Sequence, residues 1–287
     1  MKTETQLPVT TMCQRAGVSR AGFYRHLTEG PPSRGDSVVR AQMQDIALEW
    51  PSYGSRRITA ELKHRGWEVN RKRVQRLMRE DNLLCLRKRR FVVTTNSAHG
   101  LAVYPNLAST MVLTGVDQLW VADLTYIRLE EEFVYLAVIL DAFSRRVIGW
   151  ELDRTLEDSL TMAALRKALA HRPVWPGLVH HSDRGIQYAS GDYTRLLEAH
   201  HIRISMSRKA SPWDNATCES FMKTLKYEEV YRTEYRDLAD ARSRIGEFLE
   251  KVYNEKRLHS ALDYRSPMEF ERTLGSEAEQ QPAEVWR

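Results

Sequence analysis

Three acidic residues, Asp123, Asp183 and Glu219, constrain the fold of this chain more than any other feature. Asp123 lies within the apolar run 120–127 and Asp183 ends the apolar run 178–183, while Glu219 stands in a predicted helix, with thirty-five residues between it and Asp183. A carboxylate in such surroundings is unfavourable unless a cation balances its charge. A fold that brings three of them together therefore needs bound metal ions to offset their repulsion.

The chemistry of these ligands indicates magnesium or manganese rather than zinc, because hard divalent cations prefer oxygen ligands. We predict that Asp123 bridges two ions, and that Asp183 and Glu219 each bind one of them. In such a pair, one ion activates water or a 3′-hydroxyl and the other stabilises the leaving oxygen of an in-line displacement. The predicted chemistry is phosphoryl transfer on nucleic acid.

Six ordered blocks of this sequence resemble those of the insertion-sequence transposases of family three, within the retroviral-integrase superfamily. The blocks are 120–127 (WVADLTYI), 141–150 (DAFSRRVIGW), 181–188 (HSDRGIQY), 205–209 with 212–216 (SMSRK and PWDNA), 219–226 (ESFMKTLK) and 257–262 (RLHSAL). Several ordered blocks are more specific than one acidic triplet. The resemblance implies a DDE polynucleotidyl transferase that cleaves and joins DNA at the ends of an insertion sequence, leading to DNA integration and recombination.

The same resemblance implies a set of partners. They are double-stranded DNA, as terminal inverted repeats and as target, and an upstream-frame transposase segment that carries its own helix-turn-helix and a leucine zipper. This chain resembles the downstream, catalytic frame, which translational frameshifting joins to that segment. The sequence has no sustained apolar heptads that could form a dimerising coiled coil. Because joining two ends needs two DNA-bound subunits, we expect the chain to form an oligomer with itself that depends on DNA.

The order of predicted elements favours an α/β fold, an RNase H-like mixed sheet flanked by helices and preceded by small all-α helix-turn-helix units. Strands are predicted near 117–129, 132–141, 145–152, 178–182 and 202–206, and helices near 157–171, 191–200 and around Glu219. In such a sheet the first strand is central. Asp123 can then meet Asp183 at the end of the fourth strand, while the last helix brings Glu219 from the side.

We divide the chain into five regions. They are an N-terminal helix-turn-helix unit (1–35), a second helix-turn-helix DNA-binding domain (36–90), a linker (91–115), the integrase catalytic core (116–274) and a flexible tail (275–287). In the first unit, a helix through Ala16 is followed by a turn at Gly17 and a second helix from Arg20 to Leu27. In the second unit, the turn falls at Gly66 and Asn70 is predicted to cap the following helix.

The helix after Asn70 is the predicted recognition helix. Its basic residues, with which we expect it to contact DNA, are Arg71, Lys72, Arg73 and Arg76. Residues 1–115 hold 19 Lys and Arg against 9 acidic residues, whereas the rest of the chain holds 24 against 29, so the positive charge is concentrated in the front part. The alternative is that this basic run is only a solvated helix face.

Two lysines on the predicted helix of Glu219 are further DNA-binding candidates. Glu219, Lys223 and Lys226 stand at positions i, i+4 and i+7, which fall on one face of a helix. The resemblance supports Lys226 as a contact to the transposon end. For Lys223, an intrahelical pair with Glu219 is an equally simple interpretation.

Other sequence features restrict the class of protein. Three cysteines with no Cys-x-x-Cys pair argue against disulfides and zinc. No apolar stretch reaches membrane-spanning length, so no membrane partner is expected, and we expect a bacterial cytoplasmic, nucleoid-associated location. Two alternatives to a transposase are a non-catalytic DNA-binding regulator and a metal-dependent nuclease of the same fold. The intact acidic triplet argues against the regulator, and the two DNA-reading units argue against a simple ribonuclease.

Overall fold

The computed structural model describes residues 8–21, 23–24, 34–81, 83, 102–208 and 215–280. Its contacts divide the chain into two units, Met1–Leu86 and Arg87–Arg287. Parts of several predicted features lie outside the described residues: the end of the helix predicted up to Leu27, the basic residues 87–90, the first part of the linker and the last residues of the tail.

The first unit is helical. Its helices are α1 (Val9–Ala16), α2 (Arg34–Glu49), α3 (Ser55–His64) and α4 (Arg71–Glu80). Helix α1 ends at Gly17, whose φ of 65° is the left-handed conformation that glycine adopts without strain. Helical residues resume at Arg20, and Phe23 N donates to Ser19 O at 3.0 Å. The first predicted turn and the start of its second helix are therefore present.

Helices α3 and α4 form the second predicted helix-turn-helix. Gly66 occupies the turn with φ 83°, and Asn70 Oδ1 accepts a hydrogen bond from Lys72 N at 2.8 Å, as an N-cap residue does. Ile58 and Leu77 are both fully buried between the packed helices. Burial of these apolar side chains fixes the two helices against each other and leaves the basic face of α4 outside.

The second unit is built on a five-stranded sheet of order β3-β2-β1-β4-β5. The strands are β1 (Leu119–Arg128), β2 (Phe133–Asp141), β3 (Val147–Asp153), β4 (Val179–Ser182) and β5 (Arg203–Met206). Strand β1 is central, antiparallel to β2 and parallel to β4. The predicted fold class, an RNase H-like mixed sheet preceded by helical units, is confirmed.

Helices cover both faces of the sheet. They are α5 (Asp158–His171), α6 (Ile186–Ala189), α7 (Gly191–Ala199), α8 (Ala216–Glu228), α9 (Leu238–Glu247), a π-helix (Phe248–Lys256) and α10 (Pro267–Gln280). One face packs Trp120 of β1 against residues of α5 and α7 such as Leu165 and Leu197. The other packs Val121 against residues of α8 and the π-helix such as Phe221. Alternation along β1 thus buries successive side chains in two separate cores.

Helix α10 corrects one predicted boundary. A capping box opens the helix, with Ser266 Oγ accepting from Glu269 N and Glu269 Oε2 accepting from Ser266 N, both at 3.3 Å. The helix continues to Gln280, past Gly275, where the flexible tail was predicted to begin. The reason is local, because residues 276–280 contain Glu, Ala and Gln, which favour helix.

The outer edge of β3 is occupied by side chains from the last helices. Asn254 of the π-helix accepts from Val147 N and donates to Val147 O, both at 2.9 Å. Arg242 of α9 donates to Leu152 O. Three backbone groups of this edge strand therefore have side-chain partners.

Candidate active site

The parallel pairing of β1 with β4 brings two of the predicted acids side by side. The ladder runs from Leu119 opposite Val179 to Val121 opposite His181. Asp123 and Asp183 each lie two residues beyond its last pair, where the strands separate. At this opening, Asp123 Oδ1 accepts from Leu124 N at 2.8 Å and Asp183 Oδ1 accepts from Gly185 N at 2.9 Å. Backbone N–H groups therefore hold one oxygen of each carboxylate.

The electrostatics of Asp123 connect all three acids. Burial raises its pKa first, the charges of Asp183 and Glu219 raise it further, and the result is a pKa of about 7. A carboxyl group is shifted in this way when desolvation and like charges both disfavour its ionised form. The charges of Asp183 and Glu219 therefore act on Asp123, although the three acids come from three different parts of the fold.

The side chain of Glu219 is not drawn in toward the two aspartates. It is 41% exposed, and its Oε2 lies 3.6 Å from Lys223 Nζ. Within the residues that the structure describes, no three His, Cys, Asp or Glu side chains form a group that could hold a metal ion. Repulsion among carboxylates favours this outward rotamer, and Lys223 compensates the charge of Glu219 there.

The two lysines of α8 occupy different environments. Lys223 is 44% exposed and forms the intrahelical pair that the sequence left open as an alternative. Lys226 is only 5% exposed, and its Nζ lies 5.0 Å from the centre of the Tyr126 ring. Burial lowers the pKa of Lys226, and the charge of Asp123 opposes that shift. Lys226 is buried because the face at i+7 turns onto β1. Its predicted contact with DNA stays a prediction.

Asn215 is a site residue that sequence reasoning did not single out. It immediately precedes α8, and its Nδ2 donates at 3.2 Å to the carbonyl of Ala122, the residue before Asp123. The side chain therefore joins the strand of Asp123 to the helix of Glu219. Its Oδ1 is buried and has no hydrogen-bond partner in the part of the chain described. The only sequence feature that pointed to Asn215 was its place in the matched block 212–216.

Two arginines fix the orientation of α8 and were also missed. Arg145, in the β2–β3 turn with φ 63°, donates to Thr217 Oγ1 at 2.9 Å in the first turn of α8. Arg257 binds Glu228 in the last turn of α8, where Arg257 Nε donates to Glu228 Oε2 at 2.7 Å and Arg257 Nη2 donates to Glu228 Oε1 at 2.8 Å. Both arginines stand in matched blocks, which was the available signal, but their partners are distant in sequence.

The two histidines before Asp183 are engaged elsewhere. His180 Nε2 lies 2.9 Å from the hydroxyl of Tyr193. His181 lies between two hydroxyls, with Nδ1 2.8 Å from Ser205 Oγ and Nε2 3.0 Å from Ser207 Oγ. Both rings are buried and hydrogen-bonded. They shape the strand that carries Asp183 rather than supply metal ligands.

The residues at the site fit a hard divalent cation. The available ligand atoms are carboxylate oxygens, which magnesium and manganese prefer, and they come from Asp123, Asp183 and Glu219. Two buried polar atoms, Asn215 Oδ1 and the hydroxyl of Tyr188, lack hydrogen-bond partners among the described residues. Such atoms are expected beside a site whose hydrogen bonds are completed by a ligand.

In the first unit, two of the four predicted DNA-binding residues are paired within the protein. Arg73 Nε donates to Asp36 Oδ1 at 2.7 Å, and Arg76 Nη2 donates to Asp36 Oδ2 at 3.0 Å. Hydrogen bonds from Arg76 and Arg73 lower the pKa of Asp36, so this carboxylate is ionised and holds both guanidinium groups. Arg71 and Lys72 are exposed. The basic face is therefore present, but its members differ in how freely they can reach a ligand.

Comparison with known families agrees with both units. The integrase core domain family matches residues 114–212, a second integrase core family matches 200–267, and an HTH-like domain family matches 34–91. The sheet and these family matches define a polynucleotidyl transferase with an integrase core. The chain belongs to the IS3 family of insertion-sequence transposases.

Individual relatives cover nearly the whole chain. It is 40% identical over 263 residues to an uncharacterized 31 kDa protein of insertion element IS600 from Shigella sonnei, covering 90% of this chain and 97% of the relative. It is 33% identical over 276 residues to transposase InsF of IS3A from Escherichia coli, covering 94% and 96%. Among solved structures, the HTLV-2 integrase catalytic core in complex with magnesium aligns with 54% of this chain and 97% of that protein, at 16% identity and a TM-score of 0.41.

Among the helices described, none is both long and apolar enough to cross a membrane.

Proposed function

We propose that Asp123, Asp183 and Glu219 form a DDE-type site that holds two Mg²⁺ or Mn²⁺ ions for DNA cleavage and strand transfer at insertion-sequence ends. The observation that carries this proposal is the β1–β4 register, which sets Asp123 beside Asp183 with Glu219 in electrostatic reach. When bound, such ions activate the attacking oxygen and stabilise the leaving oxygen.

The protein's own part is to bring the three carboxylates to one site. Backbone N–H groups hold Oδ1 of Asp123 and Oδ1 of Asp183, which orients both carboxylates at the end of the β1–β4 ladder. Glu219 joins them by giving up its contact with Lys223. A partly exposed pair of this kind stabilises a helix by only about 0.3–0.5 kcal/mol, so the rotation costs little.

A cleavage assay tests this function. With the chain joined to its upstream-frame segment, we expect labelled element ends to be nicked and joined with Mg²⁺ or Mn²⁺, and no product with EDTA, because the carboxylates alone cannot stabilise the leaving oxygen. A non-catalytic regulator would bind the ends in EDTA and give no product with any metal. A nuclease would cleave without joining. Either result would contradict the proposed strand transfer.

The exposed cations of α4 are proposed to contact the DNA backbone. We expect Arg71→Ala and Lys72→Ala each to lower the slope of log affinity against log salt by about 0.9, the value for one lost phosphate contact. Arg73→Ala and Arg76→Ala should lower it less, because Asp36 already neutralises part of their charge. Fluorescence anisotropy across a series of salt concentrations measures the slopes.

The matched control for this series is Arg65→Ala. Arg65 follows α3 and pairs with Glu49 and Glu61, so its loss should leave the slope unchanged. If Arg71→Ala and Lys72→Ala also leave it unchanged, the basic face of α4 is only solvated.

We further propose that the chain needs an upstream-frame partner segment to assemble two ends. Two linked DNA-binding modules raise each other's effective concentration, so two modest contacts act as one tight one. We expect the free chain to be monomeric by light scattering, to protect the ends weakly in footprints, and to protect them strongly when joined to the upstream segment. A stable free dimer that protects the ends by itself would contradict this.

A further inference from the structure

Tyr188 carries a hydroxyl that the fold leaves without a partner. The residue lies in α6, directly after the loop of Asp183, and only 2% of its surface is exposed. Across the described part of the chain, this hydroxyl has no hydrogen-bond partner. A buried hydroxyl without a partner destabilises the protein unless another interaction replaces the hydrogen bonds to water that it has lost.

The neighbouring tyrosine provides the contrast. Tyr188 and Tyr193 pack edge to face with ring centres 5.4 Å apart, and both rings lie against His180. The hydroxyl of Tyr193 is satisfied at 2.9 Å from His180 Nε2. The two buried tyrosines of this cluster therefore differ in whether the hydroxyl has a hydrogen-bond partner among the described residues.

The ring of Tyr188 lies beside the loop that carries Asp183. A side-chain atom placed on Gly185 would be 3.0 Å from Asp183 Oδ1 and 3.6 Å from Tyr188 Cδ2, so the carboxylate and the tyrosine ring adjoin the same point of the loop. Burial and Tyr193 raise the pKa of Tyr188, and the charges of Asp123 and Asp183 raise it further. The hydroxyl is therefore protonated, available as a donor and within the field of both aspartates.

We propose that Tyr188 is a positioning residue whose hydroxyl donates a hydrogen bond to the Asp123–Asp183 pair when these carboxylates turn to hold a divalent cation. The inference rests on the proposed metal-binding role of the two aspartates. Carboxylates that bind a metal are themselves held by outer hydrogen bonds, and loss of such a partner typically weakens metal affinity about 10- to 100-fold. The hydroxyl of Tyr188 is thus available to the two aspartates when they hold a cation.

Tyr188→Phe tests this role through two measurements, the melting temperature without metal and the affinity for Mn²⁺, for which we expect different changes. In protein without metal, we expect the melting temperature to stay the same or rise, because the variant removes an unpaired buried hydroxyl. Mn²⁺ affinity, measured by electron paramagnetic resonance of free Mn²⁺ during titration of the full chain, should fall about 10-fold or more. Unchanged Mn²⁺ affinity, or a lowered melting temperature without metal, would overturn the proposal.

Two further variants complete the test. Tyr193→Phe removes the bond to His180, so it should lower the melting temperature and leave Mn²⁺ affinity unchanged. Asp183→Asn should lose Mn²⁺ binding. If Asp183→Asn binds Mn²⁺ normally, the proposed function fails, and the role of Tyr188 fails with it. If Asp183→Asn loses binding and Tyr188→Phe does not, only the role of Tyr188 fails.

Discussion

Each of the amide variants Asp123→Asn, Asp183→Asn and Glu219→Gln is expected to lose DNA cleavage and joining. The loss should exceed the roughly 100-fold that follows from removing a hydrogen-bonding partner of a metal ligand, because here the ligand itself is removed. DNA affinity should stay close to that of the wild type, since the basic face of α4 is unaltered. Cleavage and strand-transfer assays, with gel shifts on the same samples, measure both properties.

The control for the amide series is Asp192→Asn. Asp192 is an exposed carboxylate of α7 that pairs with Arg195, so its loss removes one negative charge without touching the site. This variant should cut and join at the wild-type rate. A Glu219→Gln enzyme with wild-type activity would remove Glu219 from the metal ligands. It would leave the paired aspartates as the whole acidic site.

Arg257→Ala is expected to destabilise the catalytic unit by about 3–5 kcal/mol, the typical cost of breaking a buried ion pair. Arg257 is 3% exposed, and its two bonds to Glu228 hold the last turn of α8. Without Arg257, the buried carboxylate of Glu228 loses two charge-assisted hydrogen bonds. Urea denaturation followed by the fluorescence of the chain's tryptophans measures the change in unfolding free energy.

Two further variants distinguish the effect of burial on stability from the effect of charge. Arg154→Ala breaks the exposed pair with Glu132 and should cost about 1 kcal/mol or less. The double variant Arg257→Met with Glu228→Leu replaces the buried pair by apolar side chains and should recover most of the stability. Equal losses for Arg257→Ala and Arg154→Ala would mean that the buried pair does not hold α8.

The five strands and several helices of the chain could be predicted from sequence because each has a local cause. Apolar runs specify β1 and β2, and the capping residues Asn70 and Ser266 mark helix starts by contacts only two or three residues away. The proximity of Asp123 to Asp183 could also be predicted from the sequence, because parallel strands in register bring the ends of β1 and β4 together. The family resemblance supplied the expectation that β1 is central.

What could not be predicted depends on partners far apart in the chain. Asp36 engages Arg73 and Arg76 across about forty residues, and no local pattern distinguishes these arginines from Arg71. The burial of Lys226 follows from the angle at which α8 crosses β1, which helical periodicity alone does not give. An amphipathic pattern identifies a face, but tertiary packing decides where that face ends.

The occupied edge of β3 limits how copies of this protein can associate. An unpaired edge strand is a template on which a second chain can add a strand. Here the amide of Asn254 pairs with Val147 as a neighbouring strand would, and Arg242 covers the carbonyl of Leu152. A second chain therefore cannot extend the sheet by pairing a strand with β3. The proposed assembly of subunits on two DNA ends must therefore use other surfaces, and addition of strands along this edge into open-ended filaments is blocked.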